Sequence, residues 1–177
     1  MYKIGLDYRI EGFSLLLNED CILSRFYPLI PYKEQLLENA GKKGCRTKQD
    51  CAKLTDKELL QIGLPNSAMV MLFRAFLTLY DVPVQKLKEI RASAVDDDER
   101  DSLVELSLLP GVRLKRARLY FRAGYTNLQR IANALPDEMI ASISEFMMRE
   151  NVPGKAPLPK EVKTHIAAAK VLTMYRV

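Results

Sequence analysis

Leu106-Ser107-Leu108-Leu109-Pro110-Gly111-Val112-Arg113-Leu114-Lys115-Arg116-Ala117-Arg118-Leu119-Tyr120-Phe121-Arg122 passes from an apolar segment to a strongly basic one across a single Pro-Gly pair. Proline and glycine end regular structure, and glycine takes φ > 0 without cost, so Leu109 to Val112 reads as a tight apolar turn closing one short helix. A second helix then starts near Leu114. Its first-turn N–H groups have no intrahelical acceptors, and beside a glycine turn they make an anion site suited to a phosphate oxygen. At about 100° per residue, Leu114, Ala117 and Phe121 fall on one apolar stripe and Lys115, Arg118 and Arg122 on its neighbour. Arg113 and Arg116 fall on the other flank.

Charge is segregated around this stretch. Residues 106–136 carry six basic side chains and no acidic one, whereas residues 96–105 carry six acidic side chains and one basic. The net charge of +5 says less than this distribution, because such totals are common among proteins that touch no nucleic acid.

The rest of the chain predicts an all-α protein with one short N-terminal strand. Tyr2, Ile4, Leu6, Tyr8 and Ile10 alternate with polar residues and glycine, the period of a half-buried strand. No second segment alternates comparably, so this strand needs a partner in another chain or lies as an extended arm; the alternative is a poorly patterned helix. Helices are expected over Asn18 to Phe26, over Tyr32 to Ala40 with Gly41 as stop, and from a capping box at Thr55-Asp56-Lys57-Glu58. Further helices span Asn66 to Leu79 and Val84 to Ala94, and one closes the chain from Lys160 to Tyr175 after a proline-rich break at Asn151 to Pro159. Asp96 to Asp101 is a solvated hinge or the acidic start of a helix.

A repeat emerges when Ala40-Gly41, Thr47, Cys51-Ala52 and Asp56 to Leu60 are laid on Ala123-Gly124, Thr126, Ile131-Ala132 and Pro136 to Ile140, with a short insertion near Lys42 to Cys45. The chain therefore divides into two related halves, residues 1–95 and 96–177, packed as a small helical array.

The segment from Leu109 to Ala134 resembles the helix-hairpin-helix motif of DNA-repair proteins, junction-binding proteins and the C-terminal regions of certain DNA helicases. The family's hairpin of Leu-Pro-Gly, a hydrophobic residue, glycine and then a small residue maps onto Leu109, Pro110, Gly111, Val112, Arg113 and Ala117. Arg113 departs from the pattern by standing at the second glycine, where its guanidinium can supply its own phosphate contact. The resemblance implies two helix-hairpin-helix-like units and binding to the DNA backbone, independent of base sequence, across the minor groove. The contact residues it implies are Gly111, Val112, Arg113, Lys115, Arg116, Arg118 and Arg122. Ile62-Gly63-Leu64-Pro65 occupies a hairpin position in the first half without the basic run, a structural element or a surface for protein.

No catalytic constellation is legible: the chain has no phosphate-binding loop of the G-x-x-x-x-G-K-[ST] type, no G-x-S-x-G elbow and no H-E-x-x-H pair. Its one histidine, His165, sits beside Val162, Ile166 and Ala169, where packing is expected. The pairs Met69 and Met71, and Met147 and Met148, read as core filler. Three irregularly spaced cysteines, Cys21, Cys45 and Cys51, argue against a disulfide framework and for a reducing, cytoplasmic setting, and with one histidine they make a poor zinc set. No cofactor is expected. No apolar run is long enough to cross a bilayer, and the first residues lack the pattern of a signal peptide. Expected partners are DNA and, because one clamp of this size binds weakly, a second site at Lys42, Lys43, Arg46 and Lys48, a homodimer or a protein partner. The rival function is an interaction module that binds protein through its first hairpin and exposed methionines.

Overall fold

The computed structural model describes residues 3–177. Lys3–Gly5 (β1) leads through a 3₁₀ turn at Ile10–Gly12 into Phe13–Leu16 (α1), and a nine-residue 3₁₀ helix follows at Ser24–Tyr32. Then come Lys33–Lys42 (α2), Lys48–Lys53 (α3), Asp56–Gln61 (α4), Ser67–Leu77 (α5), Asp81–Pro83 (β2) and Val84–Ser93 (α6). The remainder is Asp97–Leu106 (α7), Leu114–Arg122 (α8), Leu128–Ala132 (α9), Pro136–Arg149 (α10) and Pro159–Met174 (α11).

The protein is all-α in class, and its strand is neither unpaired nor an arm. β1 pairs antiparallel with β2 of the same chain, Lys3 opposite Pro83 and Gly5 opposite Asp81. Beyond Gly5 the alternation persists as burial: Leu6, Tyr8 and Ile10 are buried while Arg9 is exposed. Two isolated bridges, Tyr8 with Arg176 and Arg9 with Thr47, continue the segment across the fold. Tyr2, the first residue of the expected strand, lies outside the described residues.

Helix ends follow local chemistry. Thr55 accepts from the Glu58 amide (3.3 Å) while Glu58 accepts from the Thr55 amide (2.8 Å), the capping box expected there. The acidic run Asp96 to Asp101 is a helix start, with Asp96 accepting from the Glu99 amide (2.8 Å) at the N-terminus of α7, where negative charge suits the helix dipole. Two expectations fail. Asn18 to Phe26 is not an α-helix; the helical segment is the 3₁₀ stretch Ser24–Tyr32, which runs through Pro28 and Pro31. Two prolines three residues apart remove two donors from an α-ladder, whereas Phe26, Leu29 and Tyr32 at every third position suit three residues per turn. Gly41 does not stop α2. The stop is Gly44, at φ +86°, where the Cys45 amide reaches back to the Ala40 carbonyl (3.0 Å).

That correction removes the insertion from the repeat. Gly44 and Gly124 both have positive φ, and the Tyr125 amide bonds the Tyr120 carbonyl (2.9 Å) as Cys45 bonds Ala40. Thr47 caps α3 as Asn127 caps α9, and buried Cys51 and Leu59 correspond to buried Ile131 and Met139. Every one of these pairs is offset by 80 residues. Packing repeats with the order: α5 lies on α3 and α4, and α11 on α9 and α10. The core runs continuously through both halves, from Leu6 to Leu172, and α11 also packs against α1.

Candidate nucleic-acid interface

The connection from α7 to α8 is held by atoms distant in sequence. Gly111 adopts φ +73°, the conformation that makes glycine necessary there, and a Cβ on it would meet nothing within 4 Å. Lys86 of α6 extends its Nζ to two carbonyls of the turn, Val112 at 2.6 Å and Ser107 at 3.1 Å. Burial and the nearby Arg113 charge lower the pKa of this ammonium from its ordinary value. On the other side, His165 of α11 donates from Nε2 to the Pro110 carbonyl (3.0 Å). Its Nδ1 then accepts from Tyr120 Oη at 2.7 Å. A carbonyl can only accept, so Nε2 carries a proton, and in the neutral ring Nδ1 is the acceptor. Burial depresses the imidazole pKa to about 4, which keeps it neutral near pH 7.

With the Leu109, Pro110 and Val112 carbonyls occupied, the start of α8 presents amides. The first main-chain bond of α8 runs from the Ala117 amide to the Arg113 carbonyl (2.9 Å), and Arg113 makes no side-chain cap. Among the described residues, the amides of Leu114, Lys115 and Arg116 therefore have no intrachain acceptor. The residues that carry them line a groove of about 630 Å³ between α8, the C-terminal end of α10 and the turn Val152-Pro153-Gly154-Lys155.

Arg113, Lys115, Arg116, Arg118 and Arg122 all line this groove, as does Gly111, but they do not play one role. Arg113, Lys115 and Arg122 are exposed and make no ion pair among the described residues; Arg122 lies over the Phe146 ring, 5.6 Å from its centroid. Arg116 is bound to α11, with Nε 2.9 Å from Glu161 Oε1 and Nη1 reaching the Lys155 carbonyl (3.5 Å). Arg118 donates to the Ser93 carbonyl at the end of α6 and sits 3.6 Å from Glu99 on α7. Val112 is fully buried, its amide bonded to the Leu109 carbonyl (3.2 Å) and its carbonyl to Lys86, so it packs the turn and has no free group for a ligand.

The apolar stripe is rotated from the one expected. Ala117 and Tyr120 are fully buried, whereas Leu114 and Phe121 are only half-buried. The rotation carries Arg116 toward α11, which is why it meets Glu161. Sequence reading also missed Lys155, an exposed cation on the far wall of the groove, and the two holders of the turn, Lys86 and His165. The second Pro-Gly pair, Pro153-Gly154, was the available signal for Lys155.

The methionines divide differently from core filler. Met147 is buried and forms groove floor, whereas Met71 and Met148 are exposed. In the first unit Val70 and Phe73 are buried, leaving Leu60 and Met71 as the exposed large apolar side chains of α4 and α5. Of the basic cluster Lys42, Lys43, Arg46 and Lys48, Arg46 alone is exposed with no ion pair or side-chain hydrogen bond among the described residues. Lys48 is almost fully buried and bonds Asp81 (3.0 Å), Lys42 pairs with Glu38 (2.5 Å), and Lys43 bonds Gln61 (3.1 Å). No protein-family model, curated protein or solved structure matches the chain. No helix among the described residues is long and apolar enough to cross a membrane.

Proposed function

We propose that the protein binds the sugar-phosphate backbone of DNA, independent of base sequence, using the α7–α8 connection as a helix-hairpin-helix clamp. One observation carries this reading: free first-turn amides of α8 share a groove with Arg113, Lys115, Arg122 and Lys155, four cations with no ion pair among the described residues. Amides at a helix N-terminus, lysine and arginine are the groups that grip phosphate oxygens without reading bases. Gly111 leaves the approach open, and the Arg113 guanidinium takes the place of a second glycine as a direct phosphate ligand. Arg116 and Arg118 serve by holding α8 against α11, α6 and α7. The cytoplasmic setting expected from the cysteines, and an accessory role beside other DNA-acting proteins, belong to the same proposal.

The test is a fluorescence-anisotropy titration of duplex and branched DNA at two salt concentrations. Neutralising four phosphates gives a slope of log K against log[salt] of about −3 to −4. Reversal of Arg113, Lys115 and Arg122 to glutamate should abolish binding. Lack of binding at low salt, or binding indifferent to that reversal, would overturn the proposal.

A further inference from the structure

The two units share one frame but not one groove. In the first, α2 closes against the turn after α4: Asn39 Nδ2 donates to the Ile62 carbonyl (3.1 Å), and a Cβ on Gly63 would lie 2.8 Å from Gln35 Cδ. The residues 80 positions on are Lys115 and Leu119, and both line the open groove of the second unit. The cause of the opening is the length of the following helix. α4 has 6 residues and α10 has 14, and the added turns bring in Phe146 and Met147, which have no counterpart on α4.

With Leu114 and Leu119 of α8 and Val152 beyond α10, Phe146 and Met147 give the groove an apolar floor beneath its rim of cations. Gripping a duplex backbone needs the rim alone. A concavity of about 630 Å³, apolar below and cationic above, is in the size range of pockets that enclose a small molecule. At one edge the Arg122 guanidinium lies 5.6 Å from the Phe146 centroid. Planar cations layered on an aromatic ring are the surface on which a nucleobase stacks.

We propose that the groove takes one unpaired nucleotide, its base against the apolar floor and Arg122, its phosphate at Arg113, Lys115 and the α8 amides. This rests on the backbone-binding reading and adds that the protein prefers DNA with an unpaired nucleotide to blunt duplex. The same chemistry would admit a free nucleoside phosphate.

The experiment titrates the full chain with blunt duplex and with the same duplex carrying a short single-stranded tail. In parallel, adenosine monophosphate and inorganic phosphate are added while the Met147 methyl resonance is followed. The tailed duplex should bind about tenfold more tightly, the equivalent of one stacked base. Val152→Trp, which fills the floor, and Arg122→Lys, which keeps charge but removes the planar surface, should each bring that ratio towards one. A ratio of one in the unaltered protein, or a ratio retained in both variants, overturns the inference while leaving backbone binding standing. Binding of neither DNA, with adenosine monophosphate but not phosphate shifting Met147, overturns backbone binding and identifies a free mononucleotide as the ligand. If neither DNA nor nucleotide binds, both proposals fall.

Discussion

Tyr120 Oη donates to His165 Nδ1 across 2.7 Å, joining α8 to α11 through a buried, neutral imidazole whose other nitrogen holds the Pro110 carbonyl. The folded pKa, about 4, lies below the ordinary imidazole value of about 6.5, so between these limits the unfolded chain binds more protons than the folded one. The contribution of His165 to stability is therefore complete above about pH 6.5 and is lost as pH falls towards 4. Urea unfolding at pH 7 and pH 4.5 should show the unaltered protein losing about 2 kcal/mol more than His165→Gln. Equal losses would show that the imidazole is not held neutral.

Lys86 should act on the turn without touching a ligand. Lys86→Met leaves the Ser107 and Val112 carbonyls without their side-chain donor, at a cost of about 1–3 kcal/mol in urea unfolding. DNA affinity should fall in the same variant, measured by anisotropy where the protein remains folded, because the α8 amides lose their fixed direction.

The cations of α8 should separate into two classes. Lys115→Ala should change stability by less than about 0.5 kcal/mol and reduce the magnitude of the salt slope by about 1. Arg116→Ala removes the partner of Glu161 and should cost about 1 kcal/mol of stability. Paired melts and salt titrations of the two variants distinguish holding from gripping.

Tyr8→Phe should stabilise. The Tyr8 ring is fully buried, edge-on to Phe13 and Tyr80, but its hydroxyl has no hydrogen-bond partner. Deleting an unpartnered buried hydroxyl while keeping the ring should raise stability by up to about 1 kcal/mol, read as an increase in Tm.

What could be read from the sequence was local. Thr55 with Glu58, and Pro110-Gly111, each carry their structural meaning within four residues and are legible, whereas the acidic run at Asp96 fits a hinge as well as the helix start it forms. Arg116 and Arg118 were assigned to ligand because their partners are remote: Glu161 lies 45 residues on, and the Ser93 carbonyl 25 residues back. Nothing near Lys86 announces the Val112 carbonyl 26 residues ahead. Likewise, the alternation at residues 2–10 carried the strand but not its partner, since Asp81–Pro83 is too short to show a period of its own. Gly41 outcompeted Gly44 as a stop only because both are glycines near a helix end; main-chain geometry alone separates them.

The clasp at residues 7–9 has a consequence for the order in which the molecule assembles. The Arg9 amide bonds the Tyr175 carbonyl (2.8 Å) and the Val177 amide bonds the Asp7 carbonyl (3.2 Å). Segments 166 and 170 residues apart must meet to form them, and closing so long a loop is entropically unrewarded until the intervening helices have condensed. Contacts of this kind are made late, so residues 7–9 are among the last to settle although they are synthesised before the helices they join. Until then Leu6, Tyr8 and Ile10 are exposed apolar side chains in extended chain, the period in which this protein is most open to misassociation.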